Sequence, residues 1–133
     1  MTLNSDFRFW TEEKLRNADT DQQGHINNAI HATLFEAGRI EVLSSTELKE
    51  VLKANNIVVA RLLINFKKEL HFPGTVRIGT RVSRIGKSTI DFPQSVFGAN
   101  GEVASAEATC VLLDRVTRKP AAVTVEARKF LME

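Results

Sequence analysis

A single cysteine, Cys110, stands among the 133 residues. It has no partner for an internal disulfide, so nothing in the chain demands an oxidising compartment. Charge is nearly balanced, with a net value of +2, too weak to mark a nucleic-acid binder by charge alone. No run approaches the ~20 apolar residues that span a bilayer. The start, MTLNSDFRFW, has neither the basic opening nor the apolar stretch of a secretory signal. Internal repeats, low-complexity tracts and linkers rich in proline, glycine or serine are also missing. What remains is ordinary globular composition, 43% apolar and 26% charged, long enough to bury a core. The expectation is one domain over residues 1–133, cytoplasmic, with no membrane and no nucleic-acid partner.

The pattern of apolar residues divides the chain in two. FRFW, with Phe7 and Phe9 in phase, predicts a short first strand. NNAIHATLFEAGRIEVL places Ile30, Leu34, Ala37 and Glu41 at helical spacing, with Phe35, Gly38 and Val42 alongside. This predicts a helix from Asn28 to Ser44, with Asn27 as its N-cap. TELKEVLKAN predicts a second, shorter amphipathic turn or two. From Ile57 the period becomes two. Val58, Ala60, Leu62, Ile64 and Phe66 form one face of a strand; Val76, Ile78 and Val82 mark the next. Ile90, Phe92 and Val96 mark a third, in which Pro93 implies an edge or a bulge. Ala104, Ala106, Ala108, Cys110 and Leu112 line a fourth, small enough for a helix to lie close. FPGT and GANGE look like hairpin connections. The expected class is α+β, an antiparallel sheet wrapped around one long helix.

Between strand and helix lies DTDQQGHINN, residues 19–28. Its opening has the spacing of an EF-hand loop, but the twelfth position, which needs a glutamate, is Ile30. Calcium is therefore excluded as its purpose. His25 and His31 are not at the i, i+4 spacing of a helical metal pair, and no metal or other cofactor is expected. A helix N-terminus offers free N–H groups and a positive dipole end to a developing oxyanion. A carboxylate beside it can attack or activate water, and a glycine there lets a carbonyl approach the backbone.

The stretch DTDQQGHINNAIHATLFEAGR resembles the D-x-D-x-x-G-H-V-N-N-x-x-Y-x-x-x-x-E-x-x-R signature of acyl-CoA thioesterases of the 4-hydroxybenzoyl-CoA thioesterase type. The likeness continues through ARLLINFKKELHFPGTVRIGTRVSRIGKSTIDF to VLLDRVTRKP, most of the chain. The resemblance implies a hotdog fold and hydrolysis of an acyl-CoA thioester to an acid and CoA, with CoA as part of the substrate rather than a cofactor. It puts the catalytic carboxylate on Asp21, as nucleophile or general base, and the carbonyl-binding N–H near Asn28. Gly24, His25 and His31 fall on the substrate side. His31 stands where the family usually has tyrosine, a residue this chain lacks entirely. Asp19 reads as a turn acid, and Glu36 with Arg39 as a helix-stabilising pair at i, i+3. Arg81, Arg84 and Lys87, with Ser88, form a basic cluster; a solvated face and a contact for CoA phosphates are both open readings, the second centred on Lys87. Gln94 shares phase with the buried face of its strand and is expected inside unless Pro93 turns it outward.

Two other functions fit less well. A hotdog hydratase carries D-x-N-x-x-H, whereas His25 lies four after Asp21 and six after Asp19. A non-catalytic acyl-thioester-binding module shares the fold, but has no need of Asp21. The resemblance also implies assembly, a homodimer or homotetramer formed edge to edge.

Overall fold

The computed structural model describes residues 6–132; residues 1–5, half of the stretch searched for a signal, lie outside it, as does Glu133. The elements are β1 (Phe9–Lys14), α1 (Asn28–Leu43), α2 (Thr46–Val51), β2 (Asn55–Phe66), β3 (Thr75–Thr80), β4 (Arg84–Ile85), β5 (Thr89–Gly98), β6 (Gly101–Asp114) and α3 (Val125–Met132). The strands form one antiparallel sheet ordered β1-β3-β5-β6-β2, with short β4 on β5. The α+β class and the long helix against the sheet match the sequence expectation, and the helix ends one residue early.

Helix α1 packs tightly on the sheet at Gly38. A Cβ there would stand 2.6 Å from Thr80 Oγ1 and 2.7 Å from both Gln94 Nε2 and Ile78 Cγ2. Only a glycine permits that approach, and it rotates the buried stripe of α1 to His31, Leu34, Phe35, Gly38, Arg39 and Val42. Arg39 therefore turns inward. Its guanidinium donates to Gln94 Oε1 at 3.0 Å, and Gln94 Nε2 donates to Phe35 O at 2.8 Å and Thr80 Oγ1 at 2.9 Å. The buried amide is fully satisfied, as burial demands. The expected Glu36–Arg39 pair does not form; Glu36 is exposed.

Four further expectations are corrected. The first strand runs Phe9–Lys14 rather than through FRFW. Strand β5 is interior, and Pro93 sits in it without a bulge. Pro93 O accepts from Arg81 N–H at 3.1 Å, so the proline nitrogen faces the gap between the β3 and β4 pairings, where no donor is needed. FPGT is no hairpin, since β2 and β3 lie far apart in the sheet; it carries the chain across, through a cis Phe72–Pro73 bond. GANGE does close the β5–β6 hairpin. In β2, an irregularity between Val59 and Arg61 switches the face, so Ile57 and Val59 join Leu62, Ile64 and Phe66 over the β6 alanines, in place of Val58.

The core has two parts. Leu34 and Phe35 pack with Val76, Ile78, Val96, Ala104 and Ala106 near the start of α1. At the other end, Val42, Leu48, Ala108, Cys110 and Leu112 meet Ala127 and Leu131 of α3, a helix the apolar periodicity did not disclose. Burial pushes the Cys110 thiol up, as expected of a small packing residue. Among the described residues no helix is long and apolar enough to cross a membrane. Among the described residues, strand β2 closes the sheet with a free edge, twelve residues long, and Val58, Val59, Leu63 and Phe66 on it are each more than a third exposed.

Candidate functional site

The DTDQQGHINN stretch folds as a tight turn feeding α1. Gly24 N–H donates to Asp21 O at 3.2 Å, and Gly24 takes a φ of +82°, a left-handed conformation that favours glycine. A Cβ at Gly24 would meet nothing within 4 Å, so the glycine is required by its backbone and the space beside it is open. Asn27 Oδ1 accepts from Ala29 N–H at 2.9 Å, and Asn27 O accepts from Ile30 N–H at 2.9 Å. The predicted cap is present. Asn28, the first helical residue, keeps one of the helix's unsatisfied N–H donors.

The two acids have different surroundings. Asp19 is buried, 5% exposed; its carboxylate accepts from Arg16 N–H at 3.0 Å and pairs with the Arg16 guanidinium at 2.8 Å. The hydrogen-bonded Arg16 holds the Asp19 carboxyl below its ordinary 3.8. Asp19 O accepts from Asn27 N–H at 2.8 Å, tying this acid to the helix cap. Asp21 is exposed. Its Oδ1 accepts from Gln23 N–H at 2.8 Å and His25 N–H at 3.2 Å, while Oδ2 has no protein partner among the described residues. One oxygen is anchored, and the other is available.

Asp21, His25, Asn28 and His31 line one cleft of about 400 Å³. Phe66, Lys67, Lys68, Glu69 and Leu70 form its other wall. Phe66 was expected only as a strand residue and the other four not at all; KKEL following an apolar strand was the available signal. Lys67 Nζ pairs with Glu102 at 2.6 Å and Lys68 Nζ donates to Asn100 O at 2.8 Å, so both heads are held toward the β5–β6 turn. His31 is 2% exposed, lies edge-on to Phe66 with ring centroids 5.1 Å apart, and has a buried Nδ1 with no partner. Burial lowers its pKa from 6.5.

Arg84, Lys87 and Ser88 are elsewhere. They occupy β4 and the turn before β5, where Ser88 O accepts from Leu112 N–H at 2.8 Å. Phe66 of the cleft is opposite Ala104, itself opposite Val96 at the far end of β5. At about 3.4 Å per residue that length of strand separates the basic cluster from the cleft by roughly 20 Å. Within one chain they are not a single site. His25 likewise turns from Asp21 toward Glu69 and His71, so no Asp–His couple of the hydratase kind forms.

A sheet lying on one long helix, with an acidic turn and a free N–H at the helix mouth, is the arrangement that the resemblance to hotdog thioesterases implies. The profile of the thioesterase-like superfamily matches residues 15–131, and the chain belongs to that family. It is 32% identical over 120 residues to the acyl-acyl carrier protein thioesterase ATL2, chloroplastic, of Arabidopsis thaliana, over 84% of this chain. The chain spans 64% of that relative's length. It is 29% identical over 125 residues to the long-chain acyl-CoA thioesterase FadM of Escherichia coli, over 91% of this chain and 95% of the relative. Among solved structures, YbaW of Escherichia coli superposes with a TM-score of 0.84 at 23% identity, covering 93% of this chain and 96% of its own. A Thermus thermophilus thioesterase complexed with coenzyme A and Zn gives 0.82 at 24% identity, with 94% and 92% covered.

Proposed function

We propose that this chain is an acyl-CoA thioesterase, that the cleft at the mouth of α1 is its active site, and that Asp21 is the carboxylate that acts. The observation that carries the reading is the pairing of a half-anchored carboxylate with an unsatisfied N–H in one cleft: Asp21 with Oδ2 unpartnered, and Asn28 at the first helical position. A thioester carbonyl accepting from the Asn28 N–H is polarised by that donor and the helix dipole, and the Gly24 turn leaves room for it. The Asp21 carboxylate then attacks the carbonyl carbon or takes a proton from the water that does. Either way the carbon–sulfur bond breaks, CoA leaves as the thiol, and water supplies the oxygen of the released acid. His31 and Phe66 form the aromatic side of the acyl site.

Two copies of the chain assemble along one sheet edge. A long free edge bearing exposed Val58, Val59, Leu63 and Phe66 is an association surface unless covered, and antiparallel β2–β2 pairing of two copies covers it as a closed dimer. In that arrangement opposite ends of two sheets become neighbours, so the Arg84–Ser88 turn of one copy approaches the Asp21 cleft of the other. Lys87, with Arg84 and Ser88, then contacts the CoA phosphates. Two such dimers make the tetramer. A single domain over residues 1–133 and a cytoplasmic location belong to the same reading, the latter because lone Cys110 needs no oxidising compartment.

Thiol release from a series of acyl-CoA chain lengths, by wild type and Asp21→Asn, tests the function. Hydrolysis by the wild type that Asp21→Asn abolishes is the expected result. Binding of a non-hydrolysable acyl-CoA analogue with no thiol release at any chain length would leave an acyl-thioester-binding module instead.

A further inference from the structure

On the rim of the cleft, three side chains from two segments converge. His25 Nε2 stands 3.3 Å from Glu69 Oε2, and His71 Nε2 stands 3.5 Å from the same oxygen. The three donor atoms lie within 4.8 Å of one another. The imidazole rings are nearly perpendicular, at 83° with centroids 4.7 Å apart. They do not stack; both point a nitrogen at one place.

These separations are long for N–H···O hydrogen bonds, which cluster near 2.7–3.2 Å. The two nitrogen–oxygen separations suit a shared ion, and the two imidazole nitrogens, within 4.8 Å of each other, close onto it by a small side-chain movement. Four ligands at about 2.0–2.1 Å around a tetrahedral zinc are about 3.3 Å from each other along each edge. Two imidazoles and one carboxylate are also a donor set that zinc accepts, with the fourth position left to water. Imidazole nitrogen selects zinc, cobalt, nickel or copper over magnesium and calcium, which prefer all-oxygen surroundings.

We infer that His25, Glu69 and His71 form a binding site for one divalent first-row transition cation, of the zinc class, at the edge of the cleft. The ion links the Asp21 turn to the segment after β2. Those segments already meet through a His25–His71 bridge and through Ile26 N–H donating to Leu70 O at 2.7 Å. The backbone contact holds the two imidazoles in register before any ion arrives. An ion there stiffens the turn whose Oδ1 anchor is the His25 N–H. The site rests on the geometry of three side chains and not on the reaction proposed above. The paired histidines are far apart in sequence, which is why the spacing of His25 and His31 gave no sign of them.

Co2+ is titrated into tag-free protein and followed by its visible d–d absorption, with Zn2+ competition and melting temperature read alongside. One Co2+ per chain with the intense bands of four-coordinate cobalt, displaced by Zn2+ and untouched by excess Mg2+, is expected, with a higher melting temperature. His71→Ala and Glu69→Gln, at exposed positions that should leave the fold intact, should each weaken binding by at least the roughly 10–100-fold that even outer partners of a metal site cost. No cobalt spectrum, equal displacement by Mg2+, or unchanged affinity in both variants would overturn the assignment. Metal-free melting temperatures of the variants close to wild type show that any loss is of ligands and not of structure.

Discussion

Asp21 and His25 hold each other by a reciprocal pair of hydrogen bonds: Asp21 N–H donates to His25 O at 2.8 Å, and His25 N–H donates to Asp21 Oδ1 at 3.2 Å. The second needs an acceptor at Oδ1 but no charge. Asp21→Asn therefore keeps the turn and removes only the carboxylate, so the fold and the affinity for a non-hydrolysable CoA analogue should stay near wild type. Removing a positioned base or nucleophile typically costs 10²–10⁴-fold, roughly 3–5 kcal/mol of barrier, and the loss should fall on kcat. Near-full turnover in the variant would take Asp21 out of the mechanism.

Asp19 should behave in the opposite way. Its buried carboxylate binds the Arg16 N–H and guanidinium, while the Asp19 backbone carbonyl accepts from Asn27 at the helix cap, and hydrogen bonds to a charged group are worth about 1.5–3 kcal/mol. Asp19→Asn should lower the melting temperature and leave kcat within a fewfold of wild type. Because the folded carboxyl lies below 3.8, its contribution is present above that pH and lost as pH falls through the folded value. A variant with wild-type stability but crippled turnover would exchange the roles of the two acids.

The fold was legible where apolar periodicity was clean, and opaque where a single contact reset it. The α1 boundaries and Asn27 cap follow from local chemistry. The face of α1 does not, because Gly38 lets Thr80 and Gln94 close in and draws Arg39 off the surface. One irregular residue in β2 exchanged Val58 for Val59 on the inner face, a one-position slip that strict alternation cannot signal. In the cleft, Asp21, His25, Asn28 and His31 are consecutive enough to be seen together. The facing wall from Phe66 to Leu70 arrives only because the chain crosses the sheet through FPGT instead of turning back.

If the Arg84–Ser88 turn of a second copy holds the CoA phosphates, Lys87→Ala should raise KM for CoA thioesters with little change in kcat. The wild-type KM should rise with salt, since exposed charge contacts are screened. Acyl-pantetheine substrates, which lack the phosphates, should not sense the substitution. Unchanged KM for both substrate types would leave the cluster a solvated face.

The β2 edge should be decisive for assembly. Light scattering should give a dimer or tetramer at micromolar concentration, and Val59→Lys, which puts a charge on the edge, should shift it toward monomer. Activity should fall with it, because the basic turn and the cleft then no longer meet. A stable wild-type monomer with full activity refutes both the assembly and the shared site.

His31 gives a prediction that depends on pH. It is 2% exposed, its Nδ1 is buried without a partner, and burial favours the neutral ring, so its folded pKa lies below 6.5. The unfolded chain takes up this proton near 6.5, and the folded chain does so only at lower pH. Between the two values the unfolded state binds more protons, so stability rises with pH and is lost as pH falls through that window. Above 6.5 both states are neutral and the contribution is level. His31→Phe removes the titration and preserves an edge-to-face ring against Phe66. His25 and His71 are common to both proteins, so the difference between their melting curves isolates His31. Below pH 6.5 the wild type should lose melting temperature faster than the variant, and above it the two should run parallel. Equal slopes below 6.5 would mean that the folded protein protonates His31 as readily as the unfolded chain does, and that the ring is not held dry behind Phe66.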